Sequence, residues 1–223
     1  MKLIKSTILK SPYLGVYSFL NDDFCILPST ILQKEEAIFK KNINAKIIKT
    51  TINDSSLIGI YLTGVKNKLI VNEDSITPKE LNILEKEGVK IEFVNDYNAL
   101  GNIFAINKNI GVSSSFVKAE TISKINKFLK IDVIPKKIGT LDLPGANVYV
   151  NDYFFIANPR IKENEFKFLK DNFKVDGTST TLNYGDSFIG KDVISNKDVL
   201  FVGNNTSNIE LMKIDDMILD QKL

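Results

Sequence analysis

Residues 2–15 read KLIKSTILKSPYLG, and residues 46–59 read KIIKTTINDSSLIG. Seven of the fourteen aligned positions are identical: Lys2, Ile4, Lys5, Thr7, Ile8, Ser11 and Gly15 match Lys46, Ile48, Lys49, Thr51, Ile52, Ser55 and Gly59. Working outward from the closing glycine, Gly101, Gly145 and Gly190 continue the series, at spacings of 44, 42, 44 and 45 residues. A period of this length marks an architecture of stacked units, none of which buries its apolar face alone.

Each unit has the same plan. Six residues beyond the glycine come Asn21, Asn107, Asn151 and Asn196; the second unit has Val65-Lys66-Asn67 instead. Asn between two apolar runs predicts a hairpin turn, because Asn tolerates the left-handed backbone. The unit therefore reads as strand, turn, strand around its anchor glycine. Gly15, Gly59, Gly101, Gly145 and Gly190 are expected where backbone approaches backbone or φ is positive.

A helix follows. Thr77-Pro78-Lys79-Glu80 is a capping box with Pro at the first helical position, and Gly88 closes that helix. Ser207-Asn208-Ile209-Glu210 opens the last one, with Leu211, Ile214 and Ile218 at helical spacing. Ile122, Ile125 and Leu129 mark the third, Phe166, Leu169 and Phe173 the fourth, and residues 30–41 the first. Then Lys46-Ile47, Lys90-Ile91, Lys130-Ile131 and Lys174-Val175 start a further strand. The fifth unit has no strand after its helix, whereas residues 2–8 form a strand before the first unit. A closed ring satisfies both, and closure removes exposed sheet edges. The expected fold is α+β: a pseudo-fivefold ring of ββαβ units, strands inside and helices outside, in one domain over residues 1–223.

Composition narrows the chemistry. The chain has no His, which excludes His-dependent triads, His metal sites and His general bases. Its one cysteine, Cys25, lies in the apolar stretch Phe24-Cys25-Ile26-Leu27 and reads as a small buried hydrophobe. Arg160 is the sole arginine and the net charge is +2, which argues against direct reading of nucleic acid. Asp22, Asp23, Glu73 and Asp74 fall at turns. No cofactor motif is present. No apolar run spans a membrane, and lysines break the N-terminal stretch a secretory signal would need. A cytoplasmic location is expected.

A fivefold strand-strand-helix-strand ring resembles the pentein fold, a five-bladed α/β propeller shared by arginine-modifying enzymes and translation initiation factor 6. Asn98-Ala99-Leu100-Gly101-Asn102, Thr181-Leu182-Asn183-Tyr184-Gly185, and Gly203-Asn204-Asn205-Thr206-Ser207 with Glu210-Leu211 are similar to segments of the second group. Residues 11–28 and 52–72 follow its pattern too. Asn205 stands where that family usually has Asp, and Asn208-Ile209 where archaeal members tend to have Gly-Pro. The chain resembles archaeal members, since it stops at Leu223 without a polar tail.

The resemblance implies a monomer that docks on the large (50S) ribosomal subunit, on a ribosomal protein near the sarcin-ricin loop. There it would keep the small (30S) subunit from joining by steric block, without catalysis, metal, cofactor, DNA or membrane. The contact residues it suggests are Leu100, Gly101, Asn102, Asn147, Asn183, Tyr184 and Gly185, with Gly15, Gly59, Gly145 and Gly190 as structural anchors. The alternatives are a pentein-fold arginine-modifying enzyme, which the absence of His disfavours, and a free RNA-binding module, which the single Arg disfavours.

Overall fold

The computed structural model of the chain describes residues 1–220. These residues form five three-stranded sheets, consistent with a fivefold repeated ring. The strands are β1 (Lys2–Ser6), β2 (Phe19–Leu20), β3 (Phe24–Pro28), β4 (Lys46–Thr50), β5 (Leu62–Val65), β6 (Lys68–Asn72) and β7 (Lys90–Val94). They continue with β8 (Phe104–Ile106), β9 (Ile110–Ser113), β10 (Asp132–Pro135), β11 (Val148–Val150), β12 (Phe154–Ala157), β13 (Asp176–Ser179), β14 (Val193–Ser195) and β15 (Val199–Gly203). In the first four units the long helix joins the two parallel strands: α1 (Gln33–Asn42), α2 (Pro78–Lys86), α3 (Ala119–Leu129) and α4 (Glu163–Phe173); in the fifth, α5 (Asn208–Asp220) follows β15.

In every sheet the middle strand pairs antiparallel with the strand before it and parallel with the strand after the helix. In the fifth sheet the parallel partner is β1. Lys2 lies opposite Val199 and Ser6 opposite Gly203, so the N-terminal strand completes the last unit.

The middle strands are largely apolar because both their faces are covered. Alternate residues serve different cores. Cys25 and Leu27 pack with Ile194, Val199 and Phe201 of the fifth unit, whereas Phe24 and Ile26 pack with Ile58, Leu62, Leu69 and Leu84 of the second. Likewise Phe154 and Ile156 face the fifth unit, while Phe155 and Ala157 face the third. All five apolar clusters straddle two neighbouring units. No unit has a core of its own.

Three sequence expectations change. The anchor glycines do not lie within the antiparallel strand pair. They sit in single helical turns before the first strand: Leu14–Tyr17, Ile58–Tyr61, Leu100–Ile103, Pro144–Asn147 and the tighter Ile189–Lys191. Their φ angles are not positive. The hairpin asparagines are not left-handed either. Instead, each side chain closes an Asx turn: the Oδ1 atoms of Asn21, Asn107, Asn151 and Asn196 each accept backbone N–H bonds from the residues two and three positions on. In the second unit Lys66 takes the left-handed conformation, at φ 51°. Finally, Lys130 and Lys174 do not begin strands. They are left-handed residues closing α3 and α4, at φ 64° and 57°, and the strands start two residues later.

Candidate functional site

At the C-terminal ends of the parallel strands the helices begin and the glycine-bearing turns gather. Ideal Cβ positions define how tightly. A methyl on Gly59 would lie 1.9 Å from Gly15 O, on Gly101 1.8 Å from Gly59 O, and on Gly145 2.1 Å from Gly101 O. On Gly190 it would lie 1.8 Å from Gly145 O, and on Gly15 2.1 Å from Gly190 O. The series returns to its start, so five backbones meet in a closed circuit. A central cavity of about 250 Å³ is lined by these five glycines and by the Asn-bearing hairpins Asn21, Asn107, Asn151 and Asn196.

The repeated sequence quoted first forms the neighbouring loops. After β1 and β4 come two-residue turns with positive φ at Leu9 and Lys10 (53° and 63°) and at Asn53 and Asp54 (59° and 53°). A related turn, one residue longer, follows β13, at Asn183, Tyr184 and Gly185 (45°, 67° and 102°). Left-handed pairs are the turns that fit strand twist. Their N–H groups point to one carboxylate, the Glu in the third position of the next helix. Leu9 and Lys10 donate to Glu35 (both 2.9 Å), Asn53 and Asp54 to Glu80 (3.1 and 3.0 Å), and Tyr184 and Gly185 to Glu210 (3.2 and 2.9 Å). Thr7, Thr51 and Thr181 add their hydroxyls to the same acids. Glu80 and Glu210 also complete capping boxes with Thr77 and Ser207. Ser207 caps α5, so the departures at Asn205, Asn208 and Ile209 leave the helix start intact.

Burial opposes ionisation of Glu210, but the donors from Thr181, Ser207 and Gly185 outweigh it and bring its carboxyl down to about 2. Glu80 is lowered by the same balance. A depressed acid contributes stability above its unfolded value of ~4.3. For Glu210 that contribution is lost as pH falls through about 2. Glu80→Ala strips the shared acceptor from the part-buried donors at the 51–54 turn and from the Thr77 N–H of the capping box, while the Thr77 cap on the Glu80 N–H remains; we expect it to cost ~2 kcal/mol in urea unfolding at pH 7, against ~1 kcal/mol for Thr77→Ala.

The suggested contact residues separate. Tyr184 stands at a turn tip and is 86% exposed. Gly185 is exposed beside it, with open space where a Cβ would be. Asn183 holds that turn: its Nδ2 donates to Pro12 O at 3.1 Å and to Asp192 Oδ1 at 2.9 Å. Asn102 is half-buried, and among the described residues its side chain has no hydrogen-bond partner. Gly101 belongs to the glycine circuit. Leu100 and Asn147 are corrected. Both are fully buried: Leu100 packs in the core between the second and third units. Asn147 Nδ2 donates to Ile138 O and Leu141 O, both at 2.9 Å, and to Leu143 O at 3.2 Å, while its Oδ1 accepts from Asn158. Neither presents atoms to a partner.

Exposed apolar side chains that sequence reasoning did not single out share this end: Tyr13, Phe116, Leu141 and Ile209. They are isolated in loops or at helix starts, where no periodicity flags them. Phe116 packs at a tilt against Tyr97, with ring centroids 5.7 Å apart, and Lys191 lies 4.7 Å over the Tyr13 ring. The Cys25 thiol is buried, and that burial pushes its pKa up, away from a reactive thiolate. Among the described residues, no group of His, Cys, Asp or Glu is placed to hold a metal, and no helix is long and apolar enough to cross a membrane.

Comparison with known proteins agrees with this frame along nearly the whole chain. Translation initiation factor 6 of Picrophilus torridus is 30% identical over 215 residues, covering 96% of this chain and 98% of that protein. Those of Staphylothermus marinus and Sulfolobus acidocaldarius are 28% and 30% identical over 219 and 222 residues, covering 96% of this chain and 96% and 97% of theirs. The model of the eIF-6 family matches residues 3–217, and the chain belongs to that family.

Proposed function

We propose that this protein is a translation initiation factor acting on the ribosome: it binds the large (50S) subunit on its intersubunit face and sterically prevents the small (30S) subunit from joining. The observation that carries this is the family match over residues 3–217, together with relatives from archaea named translation initiation factor 6. In this proposal the chain is one pentein-type five-bladed ring over residues 1–223, monomeric and cytoplasmic. The docking surface is the end of the ring that carries Gly101, Asn102, Asn183, Tyr184 and Gly185. Its partner there is a ribosomal protein near the sarcin-ricin loop. The turns at this end are held by buried carboxylates, so their tips meet a partner already ordered, which lowers the entropic cost of association. No residue is assigned chemistry. A buried Cys25 with a raised thiol and no His beside it is a poor nucleophile for the arginine-modifying alternative.

The test is sedimentation with isolated large subunits, followed by addition of small subunits at near-physiological salt. The protein should travel with the large subunit and reduce the joined fraction; doing neither would refute the proposal. Tyr184→Ala removes an exposed aromatic that touches no core. It should weaken large-subunit binding at least ~10-fold, as a central aromatic anchor does. Its unfolding free energy should stay within ~0.5 kcal/mol of the parent.

A further inference from the structure

Behind the Tyr184 turn lies a carboxyl group that its surroundings do not suit as an anion. Asp192 is 0% exposed. Its Oδ1 accepts from Asn183 Nδ2 at 2.9 Å, while its Oδ2 is buried without a partner. Asn183 Oδ1 is buried without a partner as well. The space around that amide is closed: a Cβ on Gly203 would lie 2.1 Å from Asn183 Oδ1 and 2.2 Å from Pro12 O. Two orphaned oxygens on one bonded pair of side chains are one proton short. A carboxylic acid and a primary amide satisfy each other completely when the acid is neutral, through two parallel hydrogen bonds.

We propose that Asp192 is a neutral acid in the folded protein and latches the 182–186 turn through a cyclic pair with Asn183. Asn183 Nδ2 donates to Asp192 Oδ1, and the acid proton on Oδ2 is donated to Asn183 Oδ1.

The charges nearby favour the proton. From the turn comes the Asp186 carboxylate and from α5 the Glu210 carboxylate. The cation beside it, Lys191, is turned to Asp186, with Nζ 2.6 Å from Oδ2, and lies over Tyr13. The β14 and β15 strands carry no charged side chain, and the Pro12–Tyr13 segment brings only a phenol. Burial first, then Asp186 and Glu210, raise the Asp192 carboxyl to about 7, against the pull of Asn183 and Lys191.

The sign follows from linkage. An acid whose folded value is raised binds a proton that the unfolded chain has already released. Its stabilisation is complete below the unfolded value of ~3.9 and declines as pH rises towards about 7. Above that, Asp192 is ionised, the second hydrogen bond is lost, and the turn carrying Tyr184 loosens. Any effect on partner binding rests on the docking role proposed above; the latch does not.

The experiment uses the full chain with Asp side-chain carboxyls labelled with ¹³C. The Asp192 resonance, assigned through its backbone connectivity, should titrate near neutrality, well above the ~3.9 of a free Asp side chain. Asp192→Asn keeps both bonds as an amide–amide pair and has no proton to lose. Relative to it, the parent's folding equilibrium constant should fall about tenfold per pH unit between ~5 and ~7, as one retained proton dictates. Backbone protection factors at Tyr184 and Gly185 should drop over the same range in the parent only. A resonance midpoint near the ~3.9 of a free Asp side chain, or a parent-to-variant ratio that does not change with pH, overturns the latch. The titration is read on the parent protein, so it stands even where the variant fails to fold. Subunit binding enters neither measurement, so failure of the docking role would not be mistaken for failure of the latch.

Discussion

Gly59→Ala should leave the protein without a cooperative folded state, or cost more than ~4 kcal/mol, the range reserved for severe core defects. The new methyl would fall 1.9 Å from Gly15 O and 2.6 Å from Ser18 O, and both are backbone atoms. A flexible side chain in that place could swing away. Backbone in a closed circuit has no such freedom, because moving Gly15 away from Gly59 drives it towards Gly190, whose O would already lie 2.1 Å from a Gly15 Cβ. Gly145→Ala should behave alike, with Gly101 O at 2.1 Å and Phe104 O at 2.4 Å. Gly88 is the control. It has positive φ, 91°, and nothing within 4 Å of its Cβ position. Alanine there should cost only ~1 kcal/mol of left-handed strain. Urea unfolding followed by far-UV circular dichroism reads all three, and a Gly59→Ala midpoint close to that of Gly88→Ala would rule out the closed circuit.

Deleting residues 1–8 should abolish the single cooperative transition of the whole protein rather than fray one end. The deletion strips the five-residue parallel pairing of β1 with β15 and leaves β15 with an open edge. It also removes Ile8, fully buried between the first and fifth units, and the supporting Leu3 and Ile4. Burying an aliphatic side chain of this size is worth ~2–5 kcal/mol on truncation. Losing a strand and such a residue approaches the ~5–15 kcal/mol total of an ordinary domain. The loss spreads because every apolar cluster is shared between neighbours: weakening the fifth unit exposes one side of both the first and the fourth. A truncated chain that keeps its full transition, with unchanged denaturant slope, would show that the N-terminal strand is dispensable.

Much of this frame is legible in the chain. The period is written in five glycines, and strand count alone assigns residues 2–8 to the last unit. Capping signals at Thr77 and Ser207 place two helix starts to the residue, because a cap is a local hydrogen bond between positions three apart. The match between residues 2–15 and 46–59 also holds more than a strand. Its Thr, its Ile and its Ser are the hydroxyl donor, the buried base and the closing pair of one turn, repeated after β1 and β4. For the candidate contact residues, the linear chain did not tell exposed from buried. Tyr184 stands exposed on its turn, but Leu100 and Asn147, drawn from equally suggestive stretches, are buried.

What the sequence by itself determined is what neighbours along the chain decide: the unit length, the helix starts, the Asn turns and the identity of the anchor glycines. Tertiary structure decided what those residues meet. The partner of Gly59 is Gly15, 44 residues away; the partner of Asn183 is Asp192 on one side and Pro12, 171 residues away, on the other. A buried asparagine such as Asn147 and one such as Asn102, half-buried with no side-chain partner among the described residues, read alike in a linear chain. They differ only in whether folding brings carbonyls to their amides, and that is settled by how five units close on one another.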